Sequence, residues 1–129
     1  MIKNALVSLL VAGTALIASP ALTQQDPIKR MQLQRIDFPG NNSTILMAIE
    51  VAPNALVPRH THPGVEVGYV LEGEAELIMD GMFALHLKAG DSFQIPAGVP
   101  HSIKNGGKLS KTISTFVVDK DKPLASAVP

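Results

Sequence analysis

His60-Thr61-His62-Pro63-Gly64-Val65-Glu66 is the stretch on which the reading of this chain turns. Gly73 closes it, and a second stretch runs through Gly90, Pro96, Gly98, His101 and Asn105. Three of the four histidines in the chain fall inside these two stretches, together with one spaced carboxylate. On a β-strand, residues i and i+2 share a face and stand about 6.6–6.8 Å apart, so His60 and His62 can converge on one ion while Thr61 points away. Pro63-Gly64 reads as a tight turn that swings Glu66 back toward the same point at the start of the next strand. This is a hairpin ligand set, unlike the helical signature in which two histidines stand four apart around a Glu. The remaining ligand must come from elsewhere, and His101, after the Pro96-Ala97-Gly98-Val99-Pro100 turn, is the donor available.

These residues resemble the two motifs of the cupin family. The first reads His, one residue, His, three residues, Glu, six residues, Gly, from His60 to Gly73. The second reads Gly, five residues, Pro, one residue, Gly, two residues, His, three residues, Asn, from Gly90 to Asn105. One position departs: many cupins carry a Gly six positions before the first His, and here it is Asn54. Asn also tolerates left-handed backbone, so the turn can survive the change. The spacer from Glu74 to Ala89 is similar to that of small single-barrel cupins, and the resemblance covers roughly residues 44 to 118. It implies an all-β, single-domain jelly-roll barrel (a double-stranded β-helix) with His60, His62, Glu66 and His101 around one divalent transition metal. The ion would be zinc, copper, nickel, iron or manganese, and a barrel that keeps the shape while holding metal weakly is the alternative. The resemblance also implies a homodimer, for which the outward parity Val67, Tyr69 and Leu71 offers a face; that row could equally pack against the second sheet or the N-terminal arm.

Composition bounds what surrounds the site. The chain has 129 residues, 46% of them hydrophobic and only 4% aromatic, which suits one domain with an aliphatic core. Eleven basic side chains balance eleven acidic ones, and no basic patch with interleaved aromatics suggests a nucleic-acid partner. Cysteine is absent, which excludes disulfides and thiol chemistry. Lys3, the apolar run Ala5 to Ala18 and the small residues before a cut after Ala21 read as a signal peptide over 1–21, so a periplasmic or secreted protein is expected. That run is shorter than the roughly twenty residues a bilayer span needs, so no stable membrane insertion is expected once it is removed. A buried first helix is the alternative. After the leader, 22–43 reads as a polar arm, as far as Gln34, and first strand, 44–118 as the barrel and 119–129 as a C-terminal tail.

Alternation with period two marks half-buried antiparallel strands. Ile45, Met47, Ile49 and Val51 share one parity, as do Ala75, Leu77 and Met79, and then Phe83, Leu85 and Leu87. Asp80-Gly81 signals a two-residue hairpin, and Thr112 to Val118 supplies a last β-branched strand. His86 alternates with Leu85 and Leu87 and so points to solvent. Residues in phase with the ligands are expected to line a substrate cavity: Gly68 and Val70 with Glu66, Ile103 with His101, and Met47, Ile49 and Met79 nearby. Gly68 either leaves room beside the metal or marks a close approach of another group.

Three neutral imidazoles and one carboxylate around a divalent ion carry a net charge near +1, which a monoanionic small-molecule chelate such as an enolate or hydroxy-ketone neutralises in a partly apolar cavity. With a redox-active ion the family resemblance implies a dioxygenase of the flavonol or diketone type, with Glu66 as the catalytic base or shifting between ligand and hydrogen-bond partner. With zinc the centre acts as a Lewis acid for isomerase or lyase chemistry. A non-catalytic module that captures a small ligand or metal is the reading from a different class. Copper and zinc compete best for such a site outside the cytoplasm.

Overall fold

Ten strands, and no helix among the described residues, make up the computed structural model, which describes residues 25–129. The expected leader, 1–21, lies outside the described residues. In chain order the strands are β1 (Ile28–Phe38), β2 (Asn42–Val51), β3 (Leu56–Thr61), β4 (Gly64–Glu72), β5 (Glu74–Met79), β6 (Leu85–Lys88), β7 (Ser92–Ile95), β8 (His101–Asn105), β9 (Ser110–Asp119) and β10 (Ser126–Ala127). They form two five-stranded antiparallel sheets, ordered β1-β2-β9-β4-β7 and β10-β3-β8-β5-β6. Consecutive strands such as β3 and β4 lie in different sheets, as a jelly roll requires.

The inner faces follow the alternation in the sequence. Ile45, Met47 and Val51 of β2 are buried, as are Leu77 and Met79 of β5 and Phe116 and Val118 of β9. One cluster, Val70, Leu77, Met79, Leu87, Phe93 and Ile95, plugs one end of the sandwich. Two smaller ones, built on Ile45, Met47, Phe116 and Val118 and on Ile28, Val51 and Val57, leave space between them at the other. Asn105 closes the motif end of β8: its Nδ2 lies 2.9 Å from the Val51 carbonyl and 2.8 Å from that of Ala52.

Three local expectations need correction. The polar segment taken as an arm is strand from Ile28 onward, because an edge strand pairs through its backbone with β2 and needs only one row of apolar side chains. The Asp80-Gly81 connection is not a two-residue hairpin; pairing between β5 and β6 stops at Leu77 and Leu85. Of the expected trio on β6, Leu87 is therefore buried while Leu85 is exposed and Phe83, in the turn, is 95% exposed. The tail after Asp119 turns back and adds β10 to β3, with Ser126 opposite Thr61 and Ala127 opposite His60. Val67, Tyr69 and Leu71 stand exposed on the outer face of β4, uncovered by the second sheet or by β1. His86 is exposed, as the alternation predicts.

Asn54 does adopt left-handed backbone, with φ of 60°, and so fills the turn at which the resemblance predicts a glycine. Gly64, at the corner between the two sheets, has no such freedom to use. A Cβ there would stand 2.0 Å from the Val117 carbonyl oxygen and 2.6 Å from the Val118 Cα, both main chain. Gly64→Ala therefore forces β4 away from β9, and we expect a loss of about 1–3 kcal/mol in urea unfolding. An unchanged midpoint would show that the corner is not tightly packed.

Candidate metal centre

The two sheets supply the centre from opposite sides. His60 of β3 and His101 of β8 face each other directly across their ladder. Glu66 stands on β4, in the other sheet, and His62 lies in the link that crosses between them. Val57 and His60 both border the cavity although their positions differ by three, an odd offset that strict alternation forbids. A register shift between them, across Pro58 and Arg59, resets the parity and turns His60 inward. The turn before β8 is tied to the first motif as well: the Gly98 amide, at φ of 72°, donates to the His62 carbonyl at 3.1 Å.

Ligand-capable nitrogens of His60, His62 and His101 lie within 4.8 Å of one another. The ring centroids are 4.2 Å apart for His60 and His101, 4.8 Å for His60 and His62, and 5.0 Å for His62 and His101. Each Nδ1 meets a main-chain carbonyl: Pro58 at 2.7 Å from His60, Leu124 at 2.6 Å from His62 and Val99 at 3.0 Å from His101. A carbonyl oxygen only accepts, so each Nδ1 donates its proton there and each Nε2 is left with a bare lone pair. Outer partners of this kind orient the imidazoles of metal sites.

Glu66 stands beside this group and not within it. Glu66 is 4% exposed, and its Oε2 lies 3.2 Å from His62 Nε2. Because His62 Nδ1 already donates to Leu124, an Nε2 lone pair and a carboxylate oxygen face each other, an arrangement that only a positive charge between them relieves. A proton serves, and so does a divalent cation shared with the other two rings. The donor set, three nitrogens and a carboxylate oxygen, suits zinc, copper, iron, nickel or manganese. Burial holds the imidazoles of His60 and His101 below their ordinary pKa of 6.5, against the carbonyl contacts that raise it, and the neighbouring rings push the same way as burial. Both are therefore neutral, as ligands must be.

A cavity of about 210 Å³ opens over the three rings. Of the expected lining residues, Met47, Ile49 and Ile103 border it, as do His60, His62, Glu66 and His101. Gly68, Val70 and Met79 do not, and here the expectation is corrected. Val70 stands four residues beyond Glu66 on the same strand, about 13 Å along it, and packs with Met79 in the cluster that plugs the far end. The space over Gly68 belongs to Phe93, its partner on β7; a Cβ would meet that ring at 2.2 Å. Gly68 thus marks a close approach. Sequence reading missed Arg30, Val57, Phe116, Leu124 and Ala125, which also line the cavity. Phe116 sets its ring edge-on to His62 at 5.0 Å. Its place in the pattern, on the strand after His101 and fifteen residues beyond it, carries no ligand signal, but its register opposite Glu66 would have found it once β4 and β9 were paired.

Over residues 47–117 the chain matches the model of the cupin domain family, and it belongs to that family. Germin-like protein subfamily 2 member 2 of Arabidopsis thaliana is 44% identical over 83 residues, which are 59% of this chain and 38% of that protein. The chain thus spans well under half the length of such curated relatives. Among solved structures, the polyketide cyclase RemF from Streptomyces resistomycificus is similar at a TM-score of 0.63 and 27% identity, over 80% of this chain and 72% of that one. The DMSP lyase DddQ from Ruegeria pomeroyi gives a TM-score of 0.69 at 22% identity, over 80% of this chain and 52% of that one, a likeness of fold.

Two outcomes test the centre. In metal-stripped protein, His60 and His101 resist protonation when folded more than when unfolded, so the unfolded chain binds more protons below 6.5. Stability from these two groups is then full above pH 6.5 and declines as the pH falls from there through their lowered folded values; urea midpoints across that window that rise on acidification contradict it. Deleting residues 120–129 removes the Leu124 carbonyl and lets the His62 ring turn, and zinc affinity, measured by competition with a chromophoric chelator, should drop by about 10- to 100-fold. Leu124→Ala keeps the carbonyl and should leave affinity nearly unchanged; equal affinity in the deletion variant would show that the tail plays no part.

Proposed function

We propose that this protein is a metal-dependent cupin enzyme that removes a proton from the carbon beside a carbonyl of a small oxygen-chelating acid or hydroxy-ketone. The observation that carries this reading is the buried Glu66 carboxylate, held beside three inward lone pairs at the wall of a cavity otherwise lined mostly by Met47, Ile49, Val57, Ile103, Phe116 and Leu124. A divalent cation on the imidazoles would supply Lewis acidity to substrate oxygens and, if redox-active, electron transfer with dioxygen. The chain's own residues do the rest. The apolar walls exclude water and so strengthen every charge interaction inside. Glu66 accepts the proton at a carboxylate oxygen, the electron pair of the broken C–H bond forms the enolate C=C bond, and the carbonyl π pair moves onto the substrate's oxygen. His62, pinned by Leu124 and flanked by Phe116, keeps its ring from following Glu66 when that carboxylate changes charge.

A cavity of about 210 Å³ is smaller than the roughly 300–1,000 Å³ of drug-sized sites, so the substrate has a handful of carbons and is not of flavonol size. A dioxygenase-type oxidoreductase, in which the enolate goes on to react with dioxygen, is our first reading. The second is a non-oxidative lyase, isomerase or cyclase, and the likeness to RemF at 27% identity supports it. Both begin with the same proton transfer. Glu66→Gln keeps the shape of the side chain but cannot accept a proton. With zinc bound, the wild type should exchange the carbon-bound hydrogens of a small 2-oxo acid for deuterium, followed by proton NMR, and the variant should be slower by about 100-fold or more. Equal exchange in both removes Glu66 as base. Dioxygen uptake with iron, copper or nickel bound then separates the two readings.

A further inference from the structure

Arg30 is the one permanent cation on the wall of the cavity. It lies on β1 directly opposite Ile49, in the row Ile28, Arg30, Gln32 that matches Val51, Ile49 and Met47 across the ladder. Residues paired this way share a face of the sheet, and Ile28, Val51 and Met47 are buried in the interior. Arg30 therefore stands in an inward row, at the rim, with its side chain exposed to solvent. Among the described residues it forms no ion pair: Arg35, Arg59, Lys111 and Lys122 each pair with a carboxylate, and Arg30 does not. It borders a neighbouring groove that holds Asp26 and Glu50, and it pairs with neither. Its charge stays uncompensated beside an apolar chamber.

We propose that Arg30 sets substrate specificity, its guanidinium holding the second negative group of a small dianionic substrate whose other end chelates the cation at His60, His62 and His101. The charge balance points the same way. A divalent ion with Glu66 ionised carries a net charge of +1, and Arg30 raises the total facing the chamber to +2. A dianion neutralises that sum, whereas a monoanion leaves the solvent-exposed guanidinium of Arg30 without a partner. A guanidinium fork takes a carboxylate through two parallel hydrogen bonds, which gives direction as well as attraction. The substrate class is then a short dicarboxylate with a 2-oxo or 2-hydroxy group at one end. This assignment rests on the metal-dependent reading of the same site.

The test uses the full chain loaded with Co²⁺, whose visible absorption reports a chelating ligand without turnover. The probes are 2-oxoglutarate and 2-oxopentanoate, equal in carbon number and differing by a terminal carboxylate against a methyl. Wild type should bind the diacid about 10- to 100-fold tighter than the monoacid. Arg30→Gln should abolish that preference while leaving cobalt content and monoacid affinity unchanged, and Arg30→Lys should restore part of it. Cobalt bound with no preference for the diacid in wild type, or a preference that survives Arg30→Gln, overturns the role of Arg30 alone. Failure of the wild type to hold cobalt at all overturns the metal centre and, with it, this assignment.

Discussion

Three carbonyl oxygens hold the centre in place. The Pro58, Val99 and Leu124 carbonyls each accept a hydrogen bond from a histidine Nδ1, and together they aim three Nε2 lone pairs at one volume of space. The carbonyls belong to three separate parts of the chain: a bulge in β3, the turn before β8, and the returning tail. Each is main chain, so no side chain has to be chosen to fix the tautomers. What must be correct is the path of the backbone, and that is set by the two sheets.

That dependence explains where the strict geometry falls. The corner at Gly64 admits no Cβ because the main chain of β9 passes against it. The break in register at Pro58 and Arg59 turns His60 inward, and Gly98 donates to the His62 carbonyl, so each motif holds part of the other. Asn105 binds the carbonyls at the end of β2 and anchors the strand that carries His101. Farther from the centre the requirements relax. The plug of Val70, Leu77, Met79, Leu87, Phe93 and Ile95 needs volume and shape, and β1 needs little more than a backbone to pair. The tail combines both roles: Arg59 bonds the Pro129 carbonyl and Asp80, while Leu124 packs against the core and orients His62.

Chemistry and cavity follow from the same frame. The carboxylate of Glu66 enters from the sheet opposite His60 and His101, beside the chamber and within reach of His62. Mostly apolar walls surround it, and the charged side chains that border the chamber are Glu66, which is buried, and Arg30, which is exposed at the rim. Membership of the cupin family, matched over 47–117, describes the barrel and the histidines. The particular chemistry resides in the wall, to which the N-terminal strand and C-terminal tail contribute residues outside that match.

The all-β class, the inward parity of β2 and β5 and the pairing of His60 with His62 were legible in the sequence, because period-two alternation is a local property of consecutive residues, and His101 was legible through the second motif. The lining residues were legible only in part. Met47, Ile49 and Ile103 follow from parity, but parity does not say how far along a strand the chamber ends, and so it placed Val70 and Met79 in the cavity when they plug the opposite end. Whether Gly68 opened space depended on the Phe93 ring from a neighbouring strand. Arg30, Phe116 and the Leu124 carbonyl lie outside the motifs, 11 to 30 residues from them, and their approach is decided by which strands pair and how the tail returns. Local pattern determines which way a side chain faces; only closure of the two sheets determines what it meets there.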